Sequence, residues 1–232
     1  MQFPHWLEKR VATDPARPLL VWYGPGDERV ELSATTFANW VDKTVNMLGD
    51  LGWEDQPRVA LCLLDERPAH WTTLVWVAAV WQLGGVAVPC PPREVDAPDL
   101  AVVGPSHPHP IAGMDTIACS LHPLGAGFSD LPRGLIDYRE VLGQPDVHTP
   151  AQPVDPDSSA WVSASEEHRH AELEQVTAES GRVLVVAEGL TPWQVVCRAL
   201  VGPLRGGGSA VVVEGRPEPE RVERIAQTEK VS

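Results

Sequence analysis

Between Lys43 and Lys230 the sequence holds no lysine, so chemistry in that span that needs an amine, whether as a Schiff base or as a point charge on a phosphate, has no side chain to use. The remaining reactive types are few and scattered. Ser163 and Ser165 stand in AWVSASEEHRHAEL, Ala160 to Leu173, two hydroxyls able to meet a phosphate oxygen, with Glu166 and Glu167 directly after them. No G-x-S-x-G is present and neither serine has flanking glycines, so a nucleophile elbow is not formed and no catalytic residue is assigned. Asp65 and Glu66 follow an apolar run and are acid/base candidates, weighed against solvated loop carboxylates, the commoner role. His107 with His109 and His168 with His170 are paired like metal ligands, but neither pair has a third ligand at a recognisable spacing, and a solvated surface is the favoured reading. Cys90, between Pro89 and Pro91, is read as a turn residue in preference to a reactive thiol. The glycines of GPLRGGGSA, Gly202 to Ala210, fall between a helix end and a strand start. A nucleotide fingerprint needs strand, glycines and helix in that order, so they are read as a turn.

Composition narrows the classes. A chain of 232 residues buries roughly 70% of its unfolded surface, enough for one substantial core or two packed lobes. Eighteen Lys and Arg against 32 Asp and Glu give a net charge of -14, which repels nucleic acid and anionic membrane surfaces. The most apolar stretch, Trp71 to Leu83, is too short to span a bilayer, and no leader-like start precedes it, so a soluble cytoplasmic protein is expected. Four cysteines, Cys62, Cys90, Cys119 and Cys197, lack any CxxC spacing and are expected as reduced thiols.

The elements that would position these residues alternate. Ser33 can cap a helix running to about Leu51, with Phe37, Trp40, Val41, Val45, Leu48 and Leu51 forming one apolar stripe, and Gly52 ending it. RVALCLL, Arg58 to Leu64, reads as a strand covered on both faces. A helix follows Pro68; its tryptophans Trp71, Trp76 and Trp81 lie five apart and spread around the cylinder, so it is expected to be buried nearly all round. Gly84 and Gly85 stop it before the strand Val86 to Pro89, and Asp99 to Val103 and Thr116 to Cys119 read as further strands. GQPDVHTPAQPVDPD, residues 143 to 157, holds four prolines and reads as a loop. Beyond it come a strand Ala160 to Ser163, a helix Glu166 to Glu179, a strand Arg182 to Val186, a helix Pro192 to Leu204, a strand Ala210 to Val213 and a helix Glu218 to Gln227. The expected fold is α/β: two packed lobes of mainly parallel sheet with helices on both faces, the first over residues 1–148, a linker over 149–157 and a second, incomplete lobe over 158–232.

ELSATTFANWVDKTVNMLGDLG followed by PRVALCLLDERPAHWTTLVWVAAVWQLGGVAVPCPP resembles the opening of the large domain of the adenylate-forming enzymes: acyl-CoA synthetases, adenylation domains of peptide synthetases, and luciferases. RVLVVAEGLTPWQVVCRALVGPLRGGGSAVVVEGRPEPERVERIAQTEKVS is similar to the second half of the same region. CSLHPLGAGFSDLPRGLIDYREVL and the overall length resemble a small group of short actinobacterial proteins of unassigned function related to those enzymes. The resemblance covers most of this chain and under half of a complete family member.

The resemblance also shows what is altered. Family members carry a Ser/Thr/Gly-rich loop ending in Pro-Lys-Gly that cradles the ATP phosphates. At that place this chain keeps only Ser163 and Ser165, the remnant cofactor-binding positions, with no glycine, no lysine and two added carboxylates. The family's C-terminal domain, its second lysine and its adenine, ribose and magnesium motifs would lie beyond Ser232. Trp193 falls where relatives place an aromatic or histidine near the acyl pocket, a substrate-lining position weighed against plain core packing. The expectation is therefore a degenerate homologue, not an enzyme, with no cofactor and no metal, acting as a binding, regulatory or assembly protein. It would take a small acyl or nucleotide ligand, or pair as a homodimer or with a protein partner. The alternative is an acyl-CoA synthetase-like enzyme or subunit using ATP or AMP with magnesium at a rebuilt or partner-completed site.

Overall fold

A computed structural model describes residues 2–26, 28–89, 98–149 and 152–231. The chain opens with helix α1 (Phe3–Thr13), hairpin strands β1 (Pro18–Tyr23) and β2 (Arg29–Ser33), and helix α2 (Ala34–Asp50). Ser33 caps α2 as the sequence predicts: its Oγ accepts from Thr36 N at 3.1 Å, satisfying one of the orphan donors of the first turn. Phe37, Val41, Val45 and Leu48 are buried along one face. Then follow β3 (Arg58–Leu61), a single turn α3 (Leu63–Glu66), α4 (Trp71–Gln82) and β4 (Val86–Pro89).

All twelve residues of α4 are buried, as their apolar distribution demands. Phe3 meets Trp81 edge-on at 5.4 Å, Trp40 meets Trp71 at 5.1 Å and Tyr138 meets Trp76 at 5.0 Å, while Trp81 Nε1 donates to Ala160 O at 2.7 Å. Burying one such indole contributes on the order of 5 kcal/mol before entropy is counted, so α4 is the axis of the core.

The rest of the chain supplies β5 (Leu100–Val103), β6 (Asp115–Ala118), β7 (Ile136–Asp137), β8 (Ser159–Val162), β9 (Glu167–Arg169), β10 (Arg182–Val186), α5 (Pro192–Val196), α6 (Gly202–Gly206), β11 (Ser209–Val213) and α7 (Pro219–Glu229). Among the described residues the strands form two sheets, in the orders β10-β11-β1-β2 and β7-β6-β5-β3-β4-β8-β9. Every pairing is parallel except β1 with β2 and β8 with β9. The α/β class with two mainly parallel sheets is as expected. The sheets do not divide where residues 149–157 divide the chain: β1 and β2 pair with β11 and β10, and β8 and β9 extend the sheet of β3 to β7. Hydrophobic pairing across the chain, not the proline-rich loop, sets the boundary between layers.

Three local expectations are corrected. RVALCLL leaves the strand at Leu61, because Cys62 turns helical (φ -65, ψ -16) and starts α3. Glu166 to Glu179 is not a helix; its first residues form β9 on the edge of β8 and His170–Gln175 a 3₁₀ turn, an open sheet edge overriding good helix propensity. Pro192 to Leu204 is helical throughout but widens into a π turn at Cys197–Val201, just ahead of Pro203, which has no N–H to give the preceding turn. Helix α1 and the β1–β2 hairpin were not anticipated.

Candidate functional site

Ser163, Ser165 and Glu166 form the connection of the β8–β9 hairpin. Ser163 N donates to Glu166 O at 2.9 Å. Its Oγ donates to the same carbonyl at 3.1 Å and accepts from Glu166 N at 3.2 Å and Ser165 N at 3.4 Å. A phosphate cradle works by presenting free backbone N–H groups to the ligand. Here Ser163 itself takes the two amides that point inward, so the turn is closed around its own hydroxyl. Glu167 Oε1 is held by the Ser159 hydroxyl at 2.6 Å, leaving both added carboxylates on the same hairpin.

Trp193, on the first turn of α5, packs onto that hairpin. Its ring stacks on His168 at 4.1 Å with 7° between planes and lies 5.3 Å from Trp161 and 6.3 Å from Trp81. His168 is flanked by carboxylates as well: Nε2 lies 3.2 Å from Glu166 Oε2 and Nδ1 3.5 Å from Glu172 Oε2. The structure thus brings Ser163, Ser165 and Trp193 into one neighbourhood and fills it with the stacked histidine. Cys197, one turn further along, has its thiol pushed up to about 12, first by burial and then by the Glu166 charge, which leaves no thiolate at neutral pH.

His170 does not join His168. It is buried, with Nε2 3.2 Å from Gly85 O, a core position. Among the described residues no three His, Cys, Asp or Glu side chains converge as a metal site. Cys119 and Cys197 are free, but Cys62 is disulfide-bonded, correcting the expectation of reduced thiols. Cys90 lies outside the described residues.

The second neighbourhood is a crevice of about 570 Å³ at the carboxyl ends of β3 and β5, where open parallel sheets place ligands. Cys62, Val103, Ile111 and Pro110 supply its apolar wall, and Asp65, Glu66, His107 and His109 its polar rim. Glu66 Oε1 accepts from Ser106 N at 3.1 Å and Ser106 Oγ at 2.7 Å. Gly104 makes this possible, since a Cβ there would collide with the Glu66 carboxylate. The sequence-named acid and histidine candidates therefore meet across one crevice. Ser106 and Gly104, which organise it, were missed because a lone Gly-x-Ser after a strand carries no distinguishing signal.

No family model matches the chain. A curated protein of Mycobacterium tuberculosis described as a TIGR03089 family protein is 32% identical over 237 residues, covering 97% of this chain and 94% of that one. The chain belongs to the TIGR03089 family. Solved structures give the TIGR03089 chain its fold. An acyl-CoA synthetase from Brucella canis matches with a TM-score of 0.79 at 17% identity, over 100% of this chain and 46% of its own. The acetoacetyl-CoA synthetase of Streptomyces lividans matches at 0.74 and 17%, over 99% and 41%. The N-terminal domain of FACL13 from Mycobacterium tuberculosis matches at 0.68 and 17%, over 100% and 61%. The TIGR03089 chain has the fold of the N-terminal region of adenylate-forming enzymes and spans less than half the length of the two synthetases. No helix among its described residues is long and apolar enough to cross a membrane.

Proposed function

We propose that this TIGR03089 protein binds a small ligand without adenylating it, as a regulatory or assembly protein of the cytoplasm that keeps the adenylate-forming fold without its phosphate chemistry. The observation that carries the reading is the Ser163 turn: the hydroxyl at the phosphate-loop position accepts from Glu166 N and Ser165 N, and Glu166 reaches His168 at 3.2 Å. A triphosphate there would have to break the turn and sit beside Glu166 and Glu167, two like charges that repel it. The crevice at the ends of β3 and β5 remains open and mostly apolar, the usual character of a small-molecule pocket. A protein partner or a second copy of the chain at the β10 edge is part of the same reading.

The second reading, an acyl-CoA synthetase-like enzyme or subunit with a rebuilt or partner-completed ATP site, draws on the extensive buried core and on the fold shared with the synthetases. One experiment separates the two. The purified protein is assayed for magnesium-dependent pyrophosphate release from ATP across a panel of carboxylic acids, with thermal shift run alongside. The expected result is no release, and no stabilisation by ATP that Ser163→Ala removes, where a ligand at 100 times its Kd would contribute about 2.7 kcal/mol. Acid-dependent release that Ser163→Ala abolishes would overturn the binding-protein reading in favour of the enzyme.

A further inference from the structure

We propose that the cleft between α1 and the end of α6 binds a phosphate-bearing small molecule, at a site separate from both the Ser163 hairpin and the β3/β5 crevice. The cleft encloses about 570 Å³, within the range of small-ligand pockets. In a chain of net charge -14 its lining runs the other way. Lys9, Arg10, Arg17 and Arg205 converge on it, against Asp14 and Glu174. Cations gathered in a concave, low-dielectric wall focus the field and attract anions even when the whole molecule is acidic.

Arg10 marks the floor. Its side chain is 5% exposed, and its contacts are long: Nη1 to Asp14 Oδ2 at 3.4 Å and to Gly207 O at 3.3 Å, Nη2 to Pro18 O at 3.4 Å. Its Nε has no partner. A buried guanidinium ordinarily spends its five donors on short, charge-assisted bonds, and burial without them is costly. The end of α6 explains part of this geometry, because Gly207 turns left-handed (φ 76) and presents its carbonyl to Arg10. It explains none of the other three cations. Arg17 shares Asp14 with Arg10 at 3.5 Å. Arg205 lies 5.7 Å over the Trp6 ring, and no described carboxylate lies within ion-pair distance of Arg205 or Lys9. Two uncompensated cations at the rim and one under-bonded arginine at the floor match a phosphate, which accepts from several donors at once.

The test is calorimetric titration of the full chain with inorganic pyrophosphate, with AMP and with phosphatidate vesicles, without magnesium, at about 30 mM and about 300 mM salt. Saturable binding that weakens with salt is expected. The double variant Lys9→Gln/Arg205→Gln, both at the rim, should raise Kd by about tenfold or more and leave Tm unchanged. Ser163→Ala should leave Kd unchanged, which separates this site from the phosphate-loop position. The proposal is overturned by absence of binding to either anion, by a Kd indifferent to the double variant, or by binding confined to phosphatidate vesicles.

Discussion

His70 shows how one side chain couples the core to pH. It caps α4, with Nδ1 accepting from Thr72 N at 3.2 Å, and its ring lies edge-on to Trp22 at 4.5 Å. Burial, reinforced by the nearby Arg67 charge, lowers its pKa to about 3. The folded state therefore keeps this histidine neutral while the unfolded chain protonates it near 6.5, so the unfolded state binds more protons between those values and stability falls as pH drops through that window. Going from pH 7 to pH 5 this single group removes about 2 kcal/mol of stability. His70→Asn retains a capping oxygen and removes the titration. Urea unfolding at the two pH values should show a pH-dependent loss smaller by about 2 kcal/mol in the variant; equal losses would assign the acid sensitivity elsewhere. Of the candidate site, Ser163, Ser165 and Trp193 were singled out through the family resemblance, and the structure brings them into one neighbourhood. That Ser163 takes its own turn's amides was not legible, because hydrogen bonding within a turn depends on backbone angles that a lone Ser-x-Ser does not dictate.

At the level of elements, the two sheets are joined by an ion pair whose carboxylate is buried and whose guanidinium is partly exposed. Arg67, just past α3, reaches Glu214, just past β11, with Nε to Oε1 at 2.8 Å and Nη2 to Oε2 at 2.6 Å, and Trp22 Nε1 on β1 donates to the same carboxylate at 3.0 Å. Glu214 is 6% exposed, so removing its partner strands a buried charge. Arg67→Met should cost about 3 kcal/mol in denaturant unfolding, and adding Glu214→Gln should restore much of it, because a neutral amide keeps a bond to Trp22 without a desolvated charge. A double variant no more stable than the single would mean that the geometry of the pair, not its charge, holds the sheets. The elements that the sequence made legible, α2, α4 and the strands Val86–Pro89 and Arg182–Val186, are those with an unbroken apolar pattern and a cap or glycine at the end. β9 and the single turn α3 were hidden because each is decided by what lies beside it: the free edge of β8 in one case, the kink at Cys62 in the other.

For the molecule as a whole, connectivity decides how it unfolds. β1 pairs in parallel with β11, Leu20 beside Ala210, so the first strand of the chain completes the sheet built by the last. β8 pairs with β4 through Trp161 beside Ala87, and Trp81 on α4 donates to Ala160. Neither sheet can close without residues from both sides of the loop at 143–157, although that loop, rich in proline and poor in apolar residues, reads from sequence as the place to cut. Cutting there exposes the β11 edge in one piece and the β4 edge in the other, and leaves α4, buried on all sides, without the strand that covers its last turn. Residues 1–148 and 158–232 produced separately should therefore each lack a cooperative transition in calorimetry, while the intact chain melts in one step with coincident near-ultraviolet and far-ultraviolet signals. Two resolved transitions in the intact chain, or a fragment that melts cooperatively alone, would show that the sheets are independent units and that the loop, after all, marks a domain boundary.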